Sequence, residues 1–449
     1  MIPSSMGSVT DLAPAIGADY HLDFSSGNLP PEVIGPDADI VGPRTYCHQD
    51  RMYVALPGQA RIGFDHDALR WGLRRDVGSE NMIQWSQPAR GLARPNAWNG
   101  SAPGLRNTVF DAADFLLPSE RCAMMDYKAE TSTYIHPSGT SGSTAYTSGV
   151  RYTASMFFKN LDPGGVDIRL RLHPAAFGTY QDAIFIAATG EVLPGSSNAA
   201  DTQIGVESYP NGWKRLYLTA TATITATTFP PLLWPGNSGQ GRFLFGAFQL
   251  EALGYPTSYI PTTGVRVVRG NERGIRAAFP MEFFQGIEYG QAATMWCDFR
   301  MQTLFQSSAS GVFGMDRVPT TGAPYVGLAV SFGVSTPIQQ YRTYYTASST
   351  STGSPAANTT VTAVGMPPRN VMASTWSNSP LSMRLTQQQS NTVGFHSAFQ
   401  GMAPDMNTTH MLLGSLMSPT QFLMTGWIYE CRVYRRFVDD AELKQMVGT

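Results

Sequence analysis

The sequence predicts an all-β protein: two antiparallel β-sandwiches in series behind an extended N-terminal region. Three observations predict it. Only 14% of the 449 residues are charged, while 44 are glycine and 31 proline, a composition that suits short strands joined by many turns. Apolar runs of strand length recur between turn clusters, and in one of them Val166, Ile168, Leu170 and Leu172 alternate with Asp167, Arg169 and Arg171, the signature of a half-buried strand with one wet face. The chain is also too long for a single core, and its strand rhythm stops and restarts near residue 270.

Taken in order, residues 1–20 are small, polar and without periodicity, and read as an extended arm. Residues 21–88 hold short runs such as His21–Phe24, Met52–Leu56, Arg61–Phe64 and Asn81–Trp85, none long enough to make a core alone. From 89 to 270 the strands become regular, with turn clusters at Asp162-Pro-Gly-Gly165 and Pro194-Gly-Ser-Ser197 between them. The last of these strands places Phe243, Phe245, Ala247 and Gln249 on one side and Leu244, Gly246, Phe248 and Leu250 on the other, apolar enough on both faces to be buried inside a sandwich. Gly254 and Pro256 then break the strand, Tyr255 and Tyr259 can lie back over the core, and Pro261 and Gly264 end the excursion. Residues 271–449 carry a second set of strands, closing with Trp427–Tyr434 and a short helix capped by Asp439, with Leu443 and Met446 inward.

The residues Gly246, Ala247, Gln249, Leu250, Glu251, Thr257, Ser258, Tyr259, Ile260, Pro261 and Thr262, together with Trp213 upstream, resemble the closing strands of a jelly-roll, carbohydrate-binding-module-like domain of phage and prophage virion proteins, whose hallmark reads "GAQLE…TSYIPT". The lead-in to residue 88 resembles the segment preceding that jelly roll, although Arg74, Arg75 and Asp76 stand where an apolar and acidic stretch belongs. The order after residue 270 resembles a concanavalin A-like (laminin G-like) sandwich. The resemblance implies a tail fibre, head fibre or spike on a virion surface, assembled in the cytoplasm of a bacterial host. Residues 1–20 would attach to other virion proteins, 21–88 would dock on the particle, and the two sandwiches would project as a cyclic homo-oligomer, the distal one, residues 271–449, contacting host polysaccharide.

The chemistry of the residues points the same way. A net charge of −2 gives no long-range attraction to nucleic acid or anionic membrane, and no run approaches the roughly 18 to 20 apolar residues of a membrane-spanning helix. There is no G-x-S-x-G, and His136 stands in a polar, loop-like run. The acids Asp298 and Glu430 stand alone, on the expected solvent faces of their strands. Glycoside cleavage needs two carboxylates about 5 to 9.5 Å apart, so a non-enzymatic protein is expected, with a polysaccharide depolymerase and a purely structural particle component as alternatives. Flat aromatic rings receive the apolar faces of sugars; Trp234, read as a loop residue ahead of Pro235 and Gly236, and the cluster Tyr341, Tyr344 and Tyr345 are the candidates. No cofactor is expected beyond a structural calcium, for which Asp65 and Asp67 are the candidate ligands. Cys47, Cys122, Cys297 and Cys431 lack metal or redox spacing and read as buried free thiols.

Overall fold

The computed structural model describes residues 18, 20–28, 30, 33–34, 42–88, 98–100, 108–127, 134–137, 143–162, 167–193, 196–197, 201–235, 241–272, 275–278, 292–301, 310–316, 325–332, 339–346, 356–361, 370–378, 381–388, 393–396, 410–414 and 424–448. The described chain is built almost wholly of antiparallel strands, as the composition requires. The expected arm at residues 1–20 lies outside the described residues apart from its last positions.

The first sandwich packs two sheets face to face. One has six strands in the order Gln203–Ser208, Trp213–Thr221, Arg151–Asn160, Gly241–Glu251, Cys122–Tyr127 and Thr108–Ala112; the other has five, Gln181–Ile186, Asp167–Leu172, Leu232–Pro235, Ile135–Pro137 and Trp98–Gly100. Their inner faces interdigitate through Met125, Met156, Phe158, Leu218 and Phe243 from one sheet and Ile135, Ile168, Leu170, Phe185 and Leu233 from the other. Each such side chain withdrawn from water contributes about 1.5 to 3 kcal/mol.

The strand Gly241–Glu251 lies inside the six-stranded sheet, buried on both faces. Its simple alternation does not hold, however. The register with Arg151–Asn160 shifts between Ser155 and Phe157, and Ala247 sits at φ +51°. This is a β-bulge, and its extra residue reverses the side-chain parity. Phe248 and Leu250 therefore join Phe243 and Phe245 in the main core, while Leu244 and Ala247 face a smaller cluster around Trp213, Phe115 and Tyr259.

The second sandwich has an eight-stranded sheet and a seven-stranded sheet. The first runs Gly394–His396, Leu381–Gln387, Asn370–Asn378, Ala292–Met301, Gly426–Tyr434, Arg70–Arg75 and Ile62–Asp65, with Tyr20–Asp23 also paired to Gly426–Tyr434. The second runs Val33–Ile34, Ile275–Ala278, His410–Leu413, Ser310–Asp316, Tyr325–Phe332, Gln339–Thr346 and Ala356–Val361. Strands from residues 21–88 thus lie in both sheets, and Leu22, Phe24, Ile62 and Leu73 share a core with Met295, Phe299, Ile428 and Val433. The lead-in therefore does not stand apart as a separate region. Its runs are too short to bury themselves, and they do so by completing the C-terminal sandwich. The first sandwich is an insertion, entered after Ser79–Asn81 and left through Val267–Arg269, which pair with each other.

The short helix Asp440–Val447 forms where expected, with the Asp439 carboxylate accepting the Glu442 N–H at 2.8 Å. Its Leu443 and Val447 are buried, whereas Met446 only packs against that cluster. All four cysteines are buried and unbridged. No helix among the described residues is long and apolar enough to cross a membrane.

Candidate functional site

The motif residues at the end of the first sandwich form an internal latch. Gln249 accepts the Ile260 N–H at 2.7 Å, Glu251 accepts from the Thr257 N–H at 3.0 Å and from its hydroxyl, and the Tyr259 hydroxyl reaches Ser86 at 2.6 Å and Glu120 at 2.9 Å. Asn81, fully buried, crosses the excursion with four hydrogen bonds: it donates to the Phe248 and Ile260 carbonyls and accepts from the Ile83 and Leu250 N–H groups. Ser258 meets the guanidinium groups of Arg61 and Arg269, and Arg61 reaches Asp76 at 2.7 Å and Glu272 at 2.5 Å. The unusual Arg-Arg-Asp of the lead-in is accounted for in part here, because Asp76 is the carboxylate on which this buried network converges. Burial would raise its pKa; Arg74, Arg61 and Arg269 hold it well below the ordinary carboxylate range instead.

Asp65 and Asp67 are committed elsewhere than to a metal. The Arg300 guanidinium donates to both oxygens of Asp65, at 2.7 and 2.8 Å, and to Asp67 at 3.0 Å, while Tyr429 donates to Asp65 at 2.7 Å. Asp67 also accepts the Ser208 N–H at 2.9 Å, so the group fastens one sandwich to the other. It does not fit the calcium expected from the sequence, since a cation already stands between the carboxylates; among the described residues no cluster of three metal-ligating side chains occurs. A small cleft open to solvent lies at this group and is lined by Tyr46, Phe64, Glu207, Tyr209 and Trp427 among others.

The other expected acids are also paired. Asp298 is fully buried and bound to Arg70 at 2.7 Å, contrary to the exposed position expected, and Glu430 lies between His21 at 2.6 Å and Arg432 at 2.5 Å. Tyr341, Tyr344 and Tyr345 lie on the strand Gln339–Thr346; their side chains lie outside the described residues.

Trp234 is different. It belongs to the strand Leu232–Pro235 rather than to a loop, on the outer face of the five-stranded sheet, directly opposite Arg169. That face carries the charged half of the alternation read from the sequence, with Asp167, Arg169 and Arg171 turned away from the core. Around Trp234 the rings form a closed circuit. Tyr134 lies 5.5 Å from Trp234 and stacks on His136 at 6.0 Å; His136 meets Phe229 at 5.3 Å, Phe229 meets His173 at 5.2 Å, and His173 meets Tyr180 at 5.8 Å. The Arg171 guanidinium closes the circuit, 4.2 Å from the Tyr180 ring and 4.9 Å from Trp234. Asp182 fixes Arg171 in place by accepting from it at 2.6 and 2.8 Å. Leu232, opposite Arg171 and 5% exposed, lies on the same face inside the circuit.

Tyr180 and Phe229 are 48% and 42% exposed, so the circuit presents apolar ring surface to water. His136 lies on the strand Ile135–Pro137 and is buried, not in a loop as its sequence context implied; burial pushes its pKa down to about 4, and its Nδ1 has no hydrogen-bond partner. His173 Nδ1 accepts the Ala175 N–H at 3.3 Å and lies 3.0 Å from the Thr228 hydroxyl. Burial, with Arg171 nearby, lowers its pKa, consistent with a neutral ring. Sequence reasoning found Trp234 but missed Tyr134, Tyr180, His173 and Phe229, which come from separate segments that only the sheet brings together.

No family model and no curated protein matches the chain. Among solved structures, the CBM40 module of Ruminococcus gnavus IT-sialidase is 12% identical over 39% of this chain and 97% of its own, with a TM-score of 0.29. The same module bound to alpha2,3 sialyllactose gives 12% over 40% and 97%, with a TM-score of 0.30. The binding domain of botulinum neurotoxin DC, in complex with rat synaptotagmin II, gives 10% over 40% of each chain, with a TM-score of 0.29. Scores this low carry no inference about function.

Proposed function

We propose that this protein binds glycans on the outer face of its first sandwich and holds them without cleaving them. The observation that carries the proposal is the closed circuit of rings around Leu232, with Arg171 and Asp182 built into it. Sugars present apolar C–H faces that pack on aromatic rings, while their hydroxyls need donors and acceptors at the edge. The exposed rings of Tyr180 and Phe229 with Trp234 supply the first, and Arg169, opposite Trp234 and partly exposed, supplies donors at the edge. Asp182 has both oxygens engaged by Arg171, which favours a positioning role over general acid chemistry. A place on the surface of a phage-like particle, with host polysaccharide as target and several copies acting together, is proposed from the resemblance of residues 211–269; multiple weak sites would raise effective affinity by about 10² to 10⁴.

The test is binding of the pure protein to an array of bacterial surface glycans, with reducing ends followed in the same samples. Trp234→Ala and Tyr180→Ala should each weaken binding by about 5- to 13-fold, at roughly 1 to 1.5 kcal/mol per aromatic contact. Binding unchanged in both variants would reject this face as the site, and new reducing ends would replace the binding protein with a depolymerase.

A further inference from the structure

Resting on the glycan-binding reading, we infer that this face selects an acidic sugar, whose carboxylate is received by Arg169. Arg169 and Arg171 lie two residues apart on the same side of one strand, and they meet a single carboxylate. Asp182 gives both of its oxygens to Arg171, at 2.6 and 2.8 Å, and Arg169 reaches it only at 4.0 Å through Nη1. That distance is beyond a hydrogen bond. The Arg169 Nε is enclosed and has no acceptor. The side chain is 20% exposed, so part of the guanidinium reaches solvent.

The two arginines therefore have different roles. Arg171 is consumed by the architecture, held between Tyr180 and Trp234 and tied to Asp182. Arg169 keeps donors open, and its backbone position is directly opposite Trp234. A ring seated on Trp234 would carry its substituents to within reach of Arg169, and a planar carboxylate matches the paired N–H groups of a guanidinium.

The experiment prints bacterial capsular and lipopolysaccharide-derived glycans in two forms, native and with carboxylates reduced to alcohols by carbodiimide and borohydride, beside sulfated and neutral glycans. The wild-type protein should hold carboxylated glycans at least ten times more tightly than their reduced forms, with the ratio shrinking as salt rises from 0.05 to 0.5 M. Arg169→Gln should bind both forms alike, at the level of the reduced form, and Arg169→Lys should recover part of the preference; unchanged unfolding curves would show that both variants fold. Equal binding of native and reduced forms by the wild type, still lost in Trp234→Ala, would overturn the acidic preference and leave glycan binding standing. A preference for sulfate over carboxylate would likewise overturn it. No binding to any printed form would remove the glycan-binding reading and this inference with it.

Discussion

Replacing Asn81 by Ala tests whether the motif excursion is held from the lead-in side. The amide donates to Phe248 O at 3.1 Å and Ile260 O at 2.9 Å and accepts from Ile83 N at 3.1 Å and Leu250 N at 3.2 Å, all fully buried. Four such bonds at about 1 kcal/mol net each give roughly 4 kcal/mol. Backbone groups left without partners raise that cost, and a water entering the vacated space lowers it, so a loss of about 3 to 5 kcal/mol is expected. Asn81→Asp should cost a similar amount, because it keeps the two acceptor contacts but sets a carboxylate against two carbonyl oxygens. The assay is urea unfolding followed by tryptophan fluorescence, with each transition fitted separately, since two sandwiches need not unfold in one step. A loss below about 1 kcal/mol in both variants would refute the latch.

Three further outcomes follow from the buried charges and the backbone. The depressed pKa of Asp76 stabilises the fold above the ordinary carboxylate pKa, and this is lost as pH falls through the folded value; the melting temperature should drop steeply below about pH 4, more weakly so in Asp76→Asn from an already lower start. Glu120 behaves oppositely, since burial pushes its pKa up to about 7 despite hydrogen bonds from Tyr259 and Gln87. Its contribution is fully present below the unfolded value and lost as pH rises through 7, so Glu120→Gln should gain stability relative to wild type between pH 5 and pH 8 in thermal melts. Leu69 occupies the left-handed region at φ +54° while 69% exposed; Leu69→Gly should be neutral or up to about 1 kcal/mol stabilising by urea titration, and a clear destabilisation would show that the leucine makes an intramolecular contact.

Much of the fold could be read from alternation. The run ending in Leu172 revealed its buried and wet faces directly, and Asp439 announced the final helix. The parity of Gly241–Glu251 could not be read, because the bulge depends on a neighbouring strand and on Ala247 accepting a left-handed conformation. The lead-in was misjudged for a related reason: Tyr20–Asp23 shows an apolar alternation, but nothing local says that its partner lies at Glu430–Val433, more than four hundred positions away. At the site, Trp234 and the Arg169–Arg171 face were visible one by one. Their convergence with Tyr134, Tyr180, His173 and Phe229 is a property of strand order. Asp65 and Asp67 misled because adjacent carboxylates look alike whether they await a metal or an arginine from residue 300.

The pairing of Ser79–Asn81 with Val267–Arg269 also makes the first sandwich exchangeable. Paired antiparallel strands stand about 5 Å apart, so everything between residues 82 and 266 could be replaced by a tight turn, or by another module with adjacent ends, without cutting a strand of either large sheet in the remaining frame. The contacts of Asn81 with Phe248 and Ile260, of Ser258 with Arg61, and of Ser208 with Asp67 then act as a compatibility test at the joint. A foreign module would seat well only if it brought equivalents of the Ser258 hydroxyl and the Phe248 and Ile260 carbonyls. Exchange of the first sandwich can therefore proceed as a whole module, with the joint residues acting as the filter.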